Sequence, residues 1–98
     1  MSQPADIAPF LLAIADPARR RILQALKSRS RNSLGTDIGL CASDIEERMK
    51  LAQPTVSHHM RILEKAGLVE VQRQGHWRWY RRNEKHISQM TRALKSQL

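Results

Sequence analysis

Two helical patterns separated by only a tight turn constrain this chain more than any other feature. In the stretch opening at Ser43, Ile45 and Met49 recur at the four-residue helical step. From Pro54 to Ala66, Val56, Met60, Leu63 and Ala66 gather on one side of a 3.6-residue wheel. Only Lys50-Leu51-Ala52 joins them, which leaves room for a turn and nothing more. Ser43 is a suitable N-cap, and Glu46 three residues on can reach back to it as in a capping box. Pro54 suits the opening of the next helix and Gly67 its end, so helix, tight turn and helix follow in order.

The flanking segments obey the same periodicities. Leu68 to Arg73 alternates like a half-buried strand, Gln74-Gly75 can turn the chain, and Trp77 to Arg82 alternates again. The expectation is a hairpin over about 68–82 with a basic tip. Upstream, Ile7, Phe10, Leu11 and Ile14 form one stripe within Asp6 to Ala15. Asp16 then caps, and Pro17 opens, a second helix reaching about Lys27 with Ile22, Leu23 and Leu26 inward. Ser28 to Gly39 is rich in Ser, Gly and polar residues without a stable period and reads as a long loop. Asn83 to Leu98 carries Ile87, Met90, Leu94 and Leu98 as the stripe of an amphipathic last helix. The fold class expected is mainly α with one β-hairpin, as a single domain over residues 1–98. Apolar stripes at both chain ends exceed what a small core needs, and a two-fold axis pairing the first and last helices buries both.

The charge is unevenly placed. Residues 1–49 hold seven Lys and Arg against six Asp and Glu, whereas residues 50–98 hold ten against three, so most of the net charge of +8 lies in the second half. A concentrated positive field attracts polyanions, nucleic acid first and an anionic membrane surface second. One Cys excludes an internal disulfide and fits a reducing cytoplasm. No apolar run approaches the roughly 20 residues that span a bilayer, and Met1 to Asp6 lacks the basic start of a signal peptide.

The polar side of the Pro54 to Ala66 helix supplies the candidate binding residues. His58, Arg61 and Lys65 lie opposite the apolar stripe, with Thr55 and Ser57 on its flanks and Gln53 just before it. Amide, hydroxyl and imidazole groups are the donors and acceptors that read base edges, while Arg61 and Lys65 suit phosphates. His59 falls near the apolar side and is expected to be packed and hydrogen-bonded. On the hairpin, Arg73, His76 and Arg78 flank the turn, and the hairpin carries Trp77, Trp79, Tyr80, Arg81 and Arg82 as well. Which hairpin face is basic and which is packing stays open at this level.

The order helix, helix, helix, turn, helix, hairpin, helix is that of a winged helix-turn-helix, and ADPARRRILQALK (Ala15 to Lys27) with LAQPTVSHHMRILEKAGLVEVQRQGHWRWYR (Leu51 to Arg81) resembles the arsenic-repressor (ArsR) family of bacterial transcriptional regulators. The resemblance covers about Ile7 to Arg82. It implies a homodimer that binds a double-stranded DNA operator and represses, with the recognition helix, about 54–66, in the major groove and the hairpin as a wing on phosphates or an adjacent minor groove. Where the family commonly closes the second wing strand with an apolar residue, this chain has Arg82.

The sensing residues of the family are largely missing. Arsenic-sensing members carry Cys-x-Cys at the start of the third helix, since a thiophilic ion needs several thiolates together. Here Leu40-Cys41-Ala42-Ser43 puts Ser where the second thiolate belongs, so Cys41 is either a small packed residue or a candidate redox sensor. Zinc- and nickel-type members use Asp and His pairs along the last helix, where this chain has only His86. No metal or other cofactor is expected, and no Gly-rich phosphate loop or paired acid and base points to catalysis. An RNA-binding module is the alternative from another class. It is disfavoured because RNA binders of that kind read single strands with aromatics on a sheet, and here the polar reading face belongs to a helix.

Overall fold

The computed structural model describes residues 3–27 and 39–98. Eight elements follow in the order α1 (Ala8–Ala15), α2 (Pro17–Lys27), β1 (Leu40–Cys41), α3 (Ala42–Met49), α4 (Gln53–Lys65), β2 (Val69–Gln74), β3 (Trp77–Arg82) and α5 (Glu84–Gln97). The expected loop from Ser28 to Gly39 lies, apart from Gly39, outside the described residues.

Local chemistry sets most boundaries. Asp16 caps α2 as expected, its Oδ1 accepting from the Ala18 N–H at 2.7 Å. α1 starts at Ala8, later than Asp6, because the Asp6 carboxylate is spent accepting the Ala8 N–H at 3.0 Å. α3 departs from the expected cap. It begins at Ala42, and the Asp44 carboxylate returns to the Cys41 N–H at 3.2 Å, so the reciprocal pair is Cys41 with Asp44 and Ser43 is already helical. The turn into α4 is made by Lys50 in the left-handed region at φ 55°, and Leu51 donates to the Glu46 carbonyl at 3.2 Å. α4 starts one residue before Pro54 and ends in a full Schellman motif. Gly67 at φ +77° donates to Glu64 and Leu68 to Leu63, and both leucines are buried.

One small sheet, in the order β1-β3-β2, closes the domain. β1 was not expected. Two residues are too short to show a period, yet Leu40 pairs with Tyr80 and Cys41 with Trp79. In the hairpin, Gln74 pairs with Trp77, so the two-residue loop is Gly75-His76, one position later than Gln74-Gly75. Gly75 at φ +60° followed by a negative φ at His76 has the pattern of a type II′ turn, whose twist matches the strands.

The core collects Phe10, Ala13, Ile22, Leu23, Leu40, Ile45, Val56, Met60, Leu63, Leu68, Val69, Tyr80 and Met90. This corrects the reading of the end helices as faces left wholly for a partner. Phe10 and Met90 are buried within the chain, with Ile7, Ile14, Ile87 and Leu94 packed partly against the same core. An eight-residue helix offers the core one side only, here Phe10 and Ala13, which leaves Leu11 and Leu12 outside, Leu12 at 70% exposure.

Gly39 shows why the chain can enter β1 at all. At φ +117° its backbone passes so close to the Tyr80 carbonyl that a Cβ would run into the oxygen. Gly39→Ala is expected to destabilise the fold by roughly 1–3 kcal/mol, read as a lower urea midpoint with the denaturant slope unchanged.

Candidate nucleic-acid interface

The core stripe of α4 decides what the helix shows outside. Val56, His59, Met60 and Leu63 are buried, so His58, Arg61 and Lys65 must face solvent, and all three are exposed. The two flanks differ. Ser57 and Gln53 turn toward the hairpin, where they line a cleft of about 410 Å³ together with His76, Arg78 and Tyr80. A smaller cleft of about 140 Å³ continues along Ser57, Arg61, Glu64, Arg78 and Tyr80. Thr55 is exposed but lines neither cleft. The structure thus brings together Gln53, Ser57, Arg61, His76 and Arg78, leaves Thr55 and His58 on the open remainder of the helix, and sets Lys65 beside Pro9 and Leu12 of α1.

The hairpin has two chemically distinct faces, because residues directly opposite in an antiparallel ladder share a side. Arg73 pairs with Arg78 and Val71 with Tyr80, so these four share the face that borders α4. Glu70 with Arg81, Gln72 with Trp79 and Gln74 with Trp77 form the other. There Trp77, 48% exposed, stacks on the buried Trp79 with ring centroids 5.7 Å apart, and Arg81 reaches Glu70 at 3.5 Å. The two tryptophans therefore share the strand face opposite Arg78 and Tyr80, and Trp77, beside the turn, also lines the cleft with Gln53 and Ser57. Arg82 is occupied elsewhere. Its guanidinium grips Glu84 at 2.9 and 3.0 Å and the Leu23 carbonyl at 3.2 Å, tying α2, β3 and α5 together.

Arg73 and Arg78 are placed differently. Two exposed guanidiniums stand directly opposite each other, and no ion pair to either occurs among the described residues. Such like-charge pairs oppose folding and are relieved by an anion laid between them. Cys41 is buried within the fold, its Sγ 3.2 Å from the Ser43 Oγ and donating to Asp44 Oδ2 at 3.2 Å. His59 is 8% exposed with its Nδ1 3.2 Å from Arg19 Nη1, the packed and bonded state its place on the wheel implied. The sequence puts Arg19, Arg20 and Arg21 together near the start of α2 without giving any of them a role. Three successive arginines at a helix start look alike in one dimension, and only the packing separates them.

This geometry defines a winged helix-turn-helix: α3, turn and α4, with β2 and β3 as a wing whose basic side borders the second helix. A helix-turn-helix domain family model matches residues 14–72. An uncharacterised HTH-type transcriptional regulator of Bacillus subtilis, YbzH, is 35% identical over 92 residues, 88% of this chain and 92% of that protein. The arsenical resistance operon repressor of Staphylococcus xylosus is 32% identical over 89 residues, 91% and 77% of the two chains. The fold matches a homodimeric winged helix-turn-helix DNA-binding domain from Mycobacterium bovis with TM-score 0.68 at 22% identity, over 98% of this chain and 89% of that one. The chain belongs to the ArsR family of winged helix-turn-helix transcriptional regulators.

The Arg73 and Arg78 pair makes a prediction independent of any ligand. Arg73→Gln is expected to raise stability by about 0.2–1 kcal/mol at low salt, with the gain vanishing near molar salt as screening removes the repulsion. Denaturant titrations at both ionic strengths measure it.

Proposed function

We propose that this protein is a homodimeric repressor of the cytoplasm that binds a double-stranded DNA operator. In this reading α4 enters the major groove, His58, Thr55, Gln53 and Ser57 offer donors and acceptors to base edges, and Arg61 and Lys65 hold phosphates. Arg73, His76 and Arg78 of the wing grip the flanking backbone. The single observation that carries the proposal is the shared side of α4 and the wing: the only two wing arginines without an ion pair among the described residues stand on the face bordering the exposed polar side of the helix. The repressor of Staphylococcus xylosus and the homodimeric Mycobacterium bovis domain support the same role. Leu11 and Leu12, left outside the core, provide the apolar surface for a second copy, and no described helix is long and apolar enough to cross a membrane.

Selection of bound fragments from random duplex DNA tests the proposal, and recovery of no preferred sequence rejects it. With the selected site in hand, His58→Ala is expected to cost on the order of 1–3 kcal/mol at particular base pairs and to alter their preference. Replacing Arg73 and Arg78 together by Ala should instead weaken specific and random duplex alike and flatten the salt dependence by about two ions. Leu11→Glu is expected to convert dimer to folded monomer, seen as halved mass in light scattering with circular dichroism retained.

A further inference from the structure

Arg19 lies off the DNA-facing surface, yet its side chain is only 11% exposed. Its guanidinium spans three elements. Nε donates to the Ala13 carbonyl at 2.7 Å and Nη2 to the Leu12 carbonyl at 3.1 Å, both near the end of α1. Nη1 lies 3.7 Å from the Asp16 carboxylate at the α1–α2 joint and 3.2 Å from His59 Nδ1 on α4. A guanidinium has donors only, so this contact requires Nδ1 of His59 to accept and the ring proton to sit on Nε2. A second proton on the ring removes the acceptor and sets two cations against each other in a buried place.

The groups around the imidazole are few. Asp16 and Arg19 face it from the start of α2, and His58 is its neighbour on α4, ring centroids 5.7 Å apart. α1 contributes carbonyls, those of Leu12 and Ala13 to Arg19 and those of Ile14 and Ala15 to Arg20.

We propose that Arg19 and His59 form a latch that positions α4 against α1 and α2, and that protonation of His59 opens it, so that DNA affinity falls as the solution is acidified. The inference rests on the DNA-binding reading above, since His58 on the reading face is the next residue along the helix. Burial lowers the basicity of His59, Arg19 and His58 add to that, Asp16 opposes it, and the net direction is below the ordinary value of 6.5. A depressed histidine stabilises the fold in its neutral form. The latch is therefore whole above pH 6.5 and is lost as the pH falls from there through the folded-state value.

Acidification also acts on DNA binding through groups other than the latch, so the latch is read by comparison. His59→Asn sets an amide oxygen where Nδ1 stands and cannot take a proton. Binding to a duplex selected by the wild-type protein is measured at about pH 7.5 and about pH 5.5 for both proteins. The wild type is expected to lose affinity several-fold relative to His59→Asn on acidification. Imidazole NMR of the wild type without DNA should show the Nε2–H tautomer at His59 and a midpoint below 6.5. Parallel affinity profiles for the two proteins, or a His59 that titrates at or above 6.5 or carries its neutral proton on Nδ1, overturn the latch. If neither protein binds any duplex at either pH, the DNA-binding reading and the affinity claim fall together. The contact itself is then judged by the NMR titration alone. Should His59→Asn not fold, Arg19→Met is used instead: removing the neighbouring cation must raise the His59 midpoint, and an unchanged midpoint overturns the proposal.

Discussion

The buried stripe of α4 is the constraint on which everything else depends. Val56, Met60 and Leu63 are fully enclosed between the helices and the sheet, and truncating a residue so placed costs about 2–5 kcal/mol. That cost fixes the rotation of the helix about its axis. Once those three side chains point inward, the 100° step between residues leaves His58, Arg61 and Lys65 no direction but outward. The polar face is a by-product of core packing, and a helix turned by one residue would bury charge to expose apolar surface.

The wing follows from the same core through β3. Tyr80 is buried toward the helices, so its alternate neighbour Arg78 shares that side and Trp79 takes the other. Pairing then carries the choice across to β2, where Arg73 must stand opposite Arg78. The two basic elements meet on one side of the molecule because Tyr80 joins the helical core on that side. Arg81 and Arg82 are equally cationic in sequence, but one balances Glu70 across the ladder and the other fastens β3 to α2 and α5.

The helix ends show how different forces share the work. α4 is stopped by a backbone motif at Gly67, and His86 of α5 packs so close there that a Cβ would approach its ring to 2.9 Å. α5 is started by the Asn83 side chain accepting from His86 N–H at 3.1 Å. The end of the wing, the stop of the reading helix and the start of the last helix therefore occupy one corner, and a change in one is felt by the others.

Much of this was legible in the sequence, because periodicity and capping act over a few residues. The helix-turn-helix, the hairpin, the Asp16 cap, the Gly67 stop and the exposure of His58, Arg61 and Lys65 all follow from side-chain types at fixed spacing, and the family resemblance rests on the same residues. Boundaries shifted where two local solutions competed: Asp44 and not Glu46 reached back to close α3, because the strand at Leu40 and Cys41 moved the start of the helix. Other features were beyond any local reading. β1 exists only because Gly39 lets the backbone slip past Tyr80, and the apolar ends of the chain proved partly spent in the core. The face of each wing arginine depends on strand register, and the join between Arg19 and His59 spans 40 positions of sequence. The sequence by itself determined the helices, the hairpin and where along the chain the charge lies. Only the tertiary structure decided which charges share a surface, because that depends on contacts between segments whose separation in the chain no periodicity encodes.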